Sequence, residues 1–350
     1  MKKHVLLVEP NYYTRYPPLG LLKLSSYHKT KGDTTELARK SRFARKTPDL
    51  IYVTSLFTWA WNAVWRTVRI YKAWFPKTEL WLGGLYASLL PEHAQLSGAD
   101  KIYTGIFREA EDIMPDYSLV PEWNGSIIFS SRGCNKKCPF CAVPRLEGRI
   151  NMVKNSIKNL IWPSHTKVIL FDNNILASSS WRSIFDELIE LGLGVDFNQG
   201  LDAHLLTEEV AKAISRMKIH TIRLAYDLPH EKTSVKQAIE RLSEVGIKKR
   251  RILVYAIYNF TESPNEYFER VRDILNWGAV CYPMRYQPCN TLTKNTYVSK
   301  RWDEKRLDVV QRARRVIGYG GAFPPYEGLT KKFNKAKDFD EAFRLYDIKN

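Results

Sequence analysis

Residues 130–145 read SSRGCNKKCPFCAVPR and gather three of the chain's five cysteines, Cys134, Cys138 and Cys141, into one short loop. The residues just before them, SIIF at 126–129, have the short apolar character of a strand buried on both faces, so the cysteines lie where the chain leaves a strand. Three thiolates at C-x3-C-x2-C spacing can each take one iron of a [4Fe-4S] cube, which leaves the fourth iron without a protein ligand and open to a small molecule. A tetrahedral zinc site needs a fourth donor, which Cys281 or Cys289 would have to supply, and zinc fingers usually pair C-x2-C with a second distant couple. Plain buried thiols are the third reading. The spacing, the aromatic Phe140 before the last cysteine and the position after a strand favour the cube.

Downstream the strand-then-helix pattern runs six times. The strand segments are SIIFSSRG (126–133), KVILFDNN (167–174), GVDFNQGLD (194–202), TIRLAYD (221–227), RILVYAIYN (251–259) and AVCYPMRYQP (279–288). Helical periodicity separates them, with start signals at Thr207 before Glu208 and Glu209 and at Ser263 before Pro264. Six βα units in series predict a partial (β/α)6 barrel whose site lies at the carboxyl ends of the strands, and each segment turns polar there. Upstream, HVLLVEP, DLIYVTSLF, TELWLGG and KIYTG alternate with helical stretches and lack in-out alternation, which predicts a Rossmann-like, doubly wound parallel sheet in an α/β chain. Its ligand edge falls near 11–18, 55–61 and 83–86. The expected division is residues 1–115 for this sheet, 116–125 for a linker with prolines and a glycine, 126–290 for the barrel, and 291–350 for a helical extension around 301–317, a GYGGAFPPYEG loop and a basic tail.

With 44% hydrophobic and 13% aromatic residues the chain can bury a large core. MKKHVLLVEP is too short an apolar run for a signal or membrane segment, and an odd cysteine count with three clustered argues for a reducing cytoplasm rather than a disulfide framework. The formal charge is +17. Such a balance concentrates polyanions, so RNA or DNA is an expected partner class and a membrane is not. Two basic clusters stand out: Arg39, Lys40, Arg42, Arg45 and Lys46, and around the cysteines Arg132, Lys136, Lys137, Arg145 and Arg149. The seven histidines fall singly and read as surface or core residues.

Cys134, Cys138, Phe140 and Cys141 resemble the signature of the radical S-adenosylmethionine (SAM) superfamily. The resemblance implies a [4Fe-4S] cluster with SAM chelated on the open iron, one-electron reduction of the sulfonium, a 5'-deoxyadenosyl radical, and a reducing partner such as flavodoxin or ferredoxin. The amino-terminal half, with PPLGLLKLSSY, LWLGG and MPDYSL, resembles the cobalamin-binding-type domain that precedes the barrel in one class of this superfamily, so cobalamin is an implied further cofactor. The DxHxxG motif whose histidine ligates cobalt in many cobalamin proteins is absent, as it often is in this class. Phe57, Trp59, Trp61 and Tyr86 at the expected pocket edge either stack on a corrin or fill its space. FDNN resembles the second-strand ending that meets the amino-acid part of SAM, giving Asp172 and Asn173 as candidates. By position Gln199, Asp202, Arg223 and Asp227 face the same cavity, while Tyr255, Tyr258, Arg285 and Gln287 lie further out, toward entering substrate. Met284 reads as packing, and Cys281 and Cys289 read as buried thiols unless one accepts a methyl group or a radical.

Three functions follow as expectations. One is a radical SAM enzyme that modifies a nucleic-acid base, suggested by the cations around the cysteines and by the basic, aromatic carboxyl-terminal region. Another is a cobalamin-dependent radical SAM methyltransferase or ring-forming enzyme acting on a small molecule or peptide. The third is a non-catalytic iron-sulfur nucleic-acid-binding protein. The resemblance to tRNA methylthiotransferases is partial, because residues 1–125 contain none of the three cysteines of a second cluster.

Overall fold

The computed structural model describes residues 2–40 and 44–345. Its first sheet is built from β1 (His4–Glu9), β2 (Thr34–Arg39), β3 (Leu50–Ser55), β4 (Glu79–Gly84) and β5 (Lys101–Ile102), in the order β2-β1-β3-β4-β5. All its pairings are parallel. The absence of in-out alternation has a direct cause: Val5 and Leu7 face Leu21 of the helix Leu19–Thr30, while Leu6 and Val8 face Val64 and Val68 of the helix Trp61–Trp74. A strand covered on both faces must be apolar at every position.

The segment 103–125 carries the chain to the second half and is packed rather than loose. Asp116 takes a hydrogen bond from Ser25 Oγ at 2.6 Å and an ion pair from Lys29 Nζ at 2.6 Å. The fully buried Tyr117 accepts from the backbone N–H of Ile127 at 2.6 Å. Two residues therefore fasten the first helix to the start of the second sheet.

The second half contains β6 (Ser126–Ile128), β7 (Lys167–Leu170), β8 (Gly194–Phe197), β9 (Lys218–Ile219), β10 (Ile222–Ala225), β11 (Ile252–Tyr258) and β12 (Val280–Arg285). They form two parallel sheets, β6-β7-β8-β9 and β10-β11-β12. The fourth predicted strand (221–227) is β10, and a two-residue strand that the pattern did not predict, β9, precedes it and leaves the sheets split at this point. Lys218 and Ile219 pair with β8, and after His220 and Thr221 the chain turns to pair Ile222–Ala225 with β11. Leu201 N–H donates to Arg223 O at 2.8 Å across the split, and Gly200, at φ +85°, fits there because an added Cβ would stand 3.1 Å from that same carbonyl. The strands follow one another in chain order around an arc, which is the expected partial (β/α)6 barrel. The helices Trp181–Leu191, Glu208–Ser215, Lys232–Glu244 and Pro264–Asn276 bury one face each against it. Thr207 and Ser263 cap the second and fourth of these, as their sequence signals require.

The carboxyl-terminal region holds more structure than one helix and a tail. After Glu304–Val316 come helices Glu327–Lys335 and Phe339–Ala342, whose Phe333 and Phe339, with Phe343, are buried in the barrel's core. Each such ring contributes about 2 kcal/mol through burial. Their spacing was readable, but the surrounding lysines masked it. Arg42 and residues 346–350 lie outside the described residues. No helix among the described residues is long and apolar enough to cross a membrane.

The loop after β4 tests this packing. Gly84 sits at φ +103°, and a Cβ there would meet Ser55 O at 2.2 Å. Gly84→Ala is expected to cost more than about 2 kcal/mol and to lower the thermal midpoint by several degrees. Gly20→Ala, where nothing lies within 4 Å in a helix, should leave the midpoint equal or higher. Circular-dichroism melts of the two variants check the pair.

Candidate metal centre

The cysteine loop leaves β6 through residues held by buried carboxylates. Asp172, 3% exposed, accepts from Ser130 N–H at 3.0 Å and Oγ at 2.6 Å, and from Ser131 N–H at 2.6 Å and Oγ at 2.9 Å. Both its oxygens are thus engaged by the end of the first barrel strand. Burial raises its carboxyl pKa and these donors oppose that shift. Arg132 next pairs with Asn151 in an antiparallel bridge and places its guanidinium on Glu111 at 2.7 Å and Glu147 at 3.2 Å. Glu111 also binds Lys23 at 2.9 Å. Burial pushes Glu111 upward, but Arg132 and Lys23 outweigh it and hold the carboxyl below its ordinary range. Burial in turn brings Lys23 down to about 8 against the pull of Glu111. Gly133, at φ +79°, turns the chain where a Cβ would lie 2.2 Å from Arg149 O. Its N–H donates to Glu147 at 3.0 Å, and the same carboxylate accepts from Asn173 Nδ2 at 2.9 Å.

Cys134, Cys138 and Cys141 emerge from this frame partly to fully exposed. Burial pushes the Cys138 thiol up to about 11; Lys136 opposes this, while Cys141, Glu231 and Cys134 add to it. Burial also raises Cys141, with the Val143 N–H opposing and Cys134, Cys289 and Glu147 adding. The thiols therefore sit within electrostatic range of one another, and Cys138 and Cys141 stay protonated until cations replace the protons. Val143 N–H lies 3.5 Å from Cys141 Sγ and Asn174 Nδ2 3.8 Å from Cys134 Sγ, the kind of donor that tunes an iron-sulfur cluster. Among the described residues no three His, Cys, Asp or Glu side chains converge as a mononuclear ion requires. A cube takes one thiolate per iron, so its donors stand apart around it, and this donor set fits that group.

Asn174 was not singled out by its sequence, yet it occupies the decisive place in FDNN. It is 5% exposed, donates to Asp202 at 3.0 Å, and its Oδ1 is buried without a hydrogen-bond partner. A buried orphan acceptor beside a cysteine thiol is a ligand position. Asp202 also takes Lys136 Nζ at 3.5 Å, and Lys136 reaches Glu231 at 3.4 Å. Glu231, likewise missed, accepts from the N–H groups of Asp227 and Leu228 at 2.8 and 3.1 Å. Asp227 accepts from Ile257 N–H at 2.9 Å, and burial pushes its carboxyl up to about 7 against that bond. Gln199 is exposed and bonded only to its neighbour Asn198, at 3.1 Å. Arg223 does not offer an open fork, because its Nη1 binds Asp196 and, at 3.3 Å, Phe197 O. Asn198 reaches Tyr16 Oη of the first half at 2.5 Å.

The outer residues divide differently from their expected roles. Tyr258 is buried in the core against Tyr267 and Trp302. Arg285 and Gln287 brace the loop at Asn295 and Tyr297. Met284 is 44% exposed and so is not core packing. Cys281 is fully buried, whereas Cys289 lies beside the cysteine loop, its Sγ 3.7 Å from Phe140 O. Phe140 itself packs edge-on to Phe260 at 5.5 Å. At the Rossmann edge, Tyr86 is core, bonded to Trp65 and His93, and cannot line a pocket. Thr58 and Trp61 bind the carbonyls of Thr291 and Leu292 at 2.6 and 3.1 Å, clamping the two halves together. Phe57 and Trp59 stack on each other at 4.8 Å and remain partly exposed.

No protein-family model matches the chain, and no curated protein sequence does. Among solved structures it is similar to the radical S-adenosylmethionine methyltransferase TsrM from Kitasatospora setae. With tryptophan substrate and a SAM analogue bound, that enzyme matches at TM-score 0.64 and 12% identity over 81% of this chain and 72% of that one. With cobalamin and a [4Fe-4S] cluster bound, it matches at TM-score 0.61 and 15% identity over 83% and 77%. At such identity the likeness establishes the fold: a Rossmann-like sheet followed by a partial radical-SAM-type barrel.

The Glu147 hub gives a prediction. Glu147→Ala strips the Gly133 N–H, Arg132 and Asn173 of a shared acceptor and should reduce the iron retained after anaerobic reconstitution and desalting to less than half. Gln199→Ala should retain the full amount. A colorimetric iron assay on both proteins measures this.

Proposed function

We propose that the chain is a radical SAM enzyme that uses cobalamin in a methyl transfer or a related carbon-centred reaction. The observation that carries the reading is that three thiols of one loop lie within electrostatic range of one another, with Asn174 beside Cys134 and its Oδ1 unbonded, at the carboxyl-terminal mouth of a partial barrel on a chain whose fold is similar to that of TsrM. A [4Fe-4S] cluster held there would supply the one-electron reduction of a bound SAM. Cys134, Cys138 and Cys141 are its ligands. Asn174 Oδ1 would accept a hydrogen bond from an N–H of the SAM amino group. Asp202 accepts from Asn174 and pairs with Lys136, while Asp227, near pH 7, exchanges a proton and can either donate to or accept from a hydroxyl. Gln199, Asn173 and Arg223 complete the rim, Arg223 after exchanging one contact with Asp196. Phe57 and Trp59 offer the flat apolar surface against which a corrin would lie.

A second reading concerns the substrate. Of the five cations near the cysteines, Arg132 and Lys136 are consumed by internal carboxylates, but Lys137, Arg145 and Arg149 are exposed and pair with no carboxylate among the described residues. Three free cations at the mouth favour an anionic substrate, and a nucleic-acid base is the class they suit.

The protein reconstituted anaerobically with iron, sulfide and hydroxocobalamin is expected to bind cobalamin with a shift in its visible spectrum. Given SAM and reduced flavodoxin, it should release 5'-deoxyadenosine. Cys134→Ala, Cys138→Ala and Cys141→Ala should each lower that release at least a hundredfold. S-adenosylhomocysteine as the sole product would confine the chemistry to methyl transfer without a radical, and zinc in place of iron would end the reading. Bulk RNA, DNA and free tryptophan, offered in parallel and followed by mass spectrometry, separate the substrate classes.

A further inference from the structure

At the opposite end of the barrel, away from the cysteine loop, the chain builds a second surface. Lys248, Lys249, Arg250 and Arg251 enter β11 as four consecutive cations. On one side of this ridge is a groove of about 760 Å³ lined by Lys248, Lys249, Arg250, Tyr319, Pro325 and Tyr326 among others. On the other side a groove of about 460 Å³ is lined by Lys218, His220 and Arg251 with apolar neighbours. No Asp or Glu lines either groove. Lys248, Lys249 and Arg250 form no ion pair among the described residues, and the nearest acid in sequence to the tyrosines, Glu327, is bound to Lys331 at 2.5 Å.

The aromatic wall is built, not incidental. Cys281 and Phe323 exchange both backbone hydrogen bonds, at 2.9 and 2.7 Å, which fixes the GYGGAFPPY loop to the edge of β12. Tyr319 and Ala322 close a hairpin whose Gly320 and Gly321 have φ of +58° and +81°. Arg314 Nε holds Gly321 O at 2.8 Å. The result is that Tyr319 and Tyr326 stand 80% and 62% exposed on a braced loop. The stem of Lys249 lies over Gly278, with its Cδ 3.4 Å from where a Cβ would sit.

We propose that this face is a binding site for single-stranded nucleic acid, with bases stacked on Tyr319 and Tyr326 and the backbone phosphates crossing the Lys248–Arg251 ridge. Exposed flat rings beside unpaired cations are the means by which proteins hold unstacked bases without reading sequence. Two grooves on either side of one cationic ridge suit a chain that passes over it better than a single nucleotide. A membrane surface is the weaker fit, because the exposed apolar side chains here are two tyrosines and not the broad apolar face of an amphipathic helix. β11 alone spans roughly 20 Å between this face and the mouth of the barrel, so the site anchors its ligand apart from the reacting centre. The proposal therefore stands whether or not nucleic acid is also the substrate.

Fluorescence anisotropy of the reconstituted full chain with a labelled 12-nucleotide oligo-uridine, from 50 to 200 mM salt, tests it. Tyr319→Ala/Tyr326→Ala should weaken binding at least tenfold with the salt slope unchanged. Lys248→Glu/Lys249→Glu should weaken it and flatten the slope by between one and two, at about 0.7 per phosphate contact. Lys137→Glu/Arg145→Glu/Arg149→Glu, at the barrel mouth, should weaken it less than the ridge variant does. Unaltered binding by the tyrosine variant overturns the proposal. So does loss confined to the mouth variant, equal affinity for a duplex of the same length, or preference for phosphatidylserine vesicles over the oligonucleotide. Iron content and circular dichroism equal to the parent protein's show that each variant is folded.

Discussion

The buried carboxylate of Glu111, shared between Lys23 and Arg132, is the constraint on which the arrangement of the molecule rests. Glu111 is 2% and Lys23 8% exposed, so neither charge is relieved by water. Lys23 belongs to the first helix of the Rossmann-like half, Arg132 to the residues that lead into the cysteine loop, and Glu111 to the segment between them. Bringing three such charges out of water returns little net stability, but it makes any arrangement that separates them expensive, by about 3–5 kcal/mol for one unpaired partner. The triad thus sets the position of the thiols relative to the first sheet. Asp116, Tyr117, Thr58 and Trp61 repeat the tie at other points along the same boundary.

From this boundary the thiol loop inherits its geometry. Asp172 fixes Ser130 and Ser131, Gly133 turns under Arg149, and Glu147 gathers Gly133, Arg132 and Asn173. The polar groups at the mouth largely satisfy one another, through Asn174 to Asp202, Lys136 and Glu231. Within this set of partners Asn174 Oδ1 stays unbonded, as does Asn151 Oδ1 in the bridge to Arg132, and burying an acceptor without a donor costs about 1–3 kcal/mol unless a ligand provides one. The loop's charges are spent on internal order to the same degree, and this is why the basic cluster seen around the cysteines shrinks to three free cations in the fold.

Sequence pattern disclosed the architecture because its signals are local: apolar runs for two-sided strands, a polar residue at each strand end, Thr207 and Ser263 at helix starts. It disclosed the cysteine loop for the same reason. Individual site residues were less legible, since a strand-end Asp or Asn announces only that it needs partners. FDNN held the relevant group, but which of three consecutive polar residues faces the thiols depends on how the chain twists as it leaves β7. Asp172 turned inward to the neighbouring strand, Asn173 to Glu147, and Asn174 to Asp202 and Cys134. Arg223 was concealed by Asp196, a partner 27 positions away. Tyr86 and Tyr258 read as pocket residues because aromatic side chains serve cores and binding sites alike. The short strand Lys218–Ile219 left no mark in the pattern, because two residues, one of them an exposed lysine, carry no periodicity.

Net charge is the property that the fold redistributes most. A total of +17 spread evenly would give a diffuse field, yet two of the five cations nearest the thiols are neutralised by internal carboxylates, while Lys248, Lys249 and Arg250 at the far end of the barrel form no ion pair among the described residues. Lys248 to Arg251 cluster where the strands begin, beside a glycine hairpin that serves no visible purpose in the core except to fasten Phe323 and present Tyr319. Like charges at adjacent positions repel and lower stability unless something offsets them. A barrel whose chemistry sits at one mouth has no mechanistic need for four consecutive cations at the other. Their retention next to exposed rings is most simply understood if an anion of extended shape supplies the offset, so the two ends of the barrel divide reaction and retention between them.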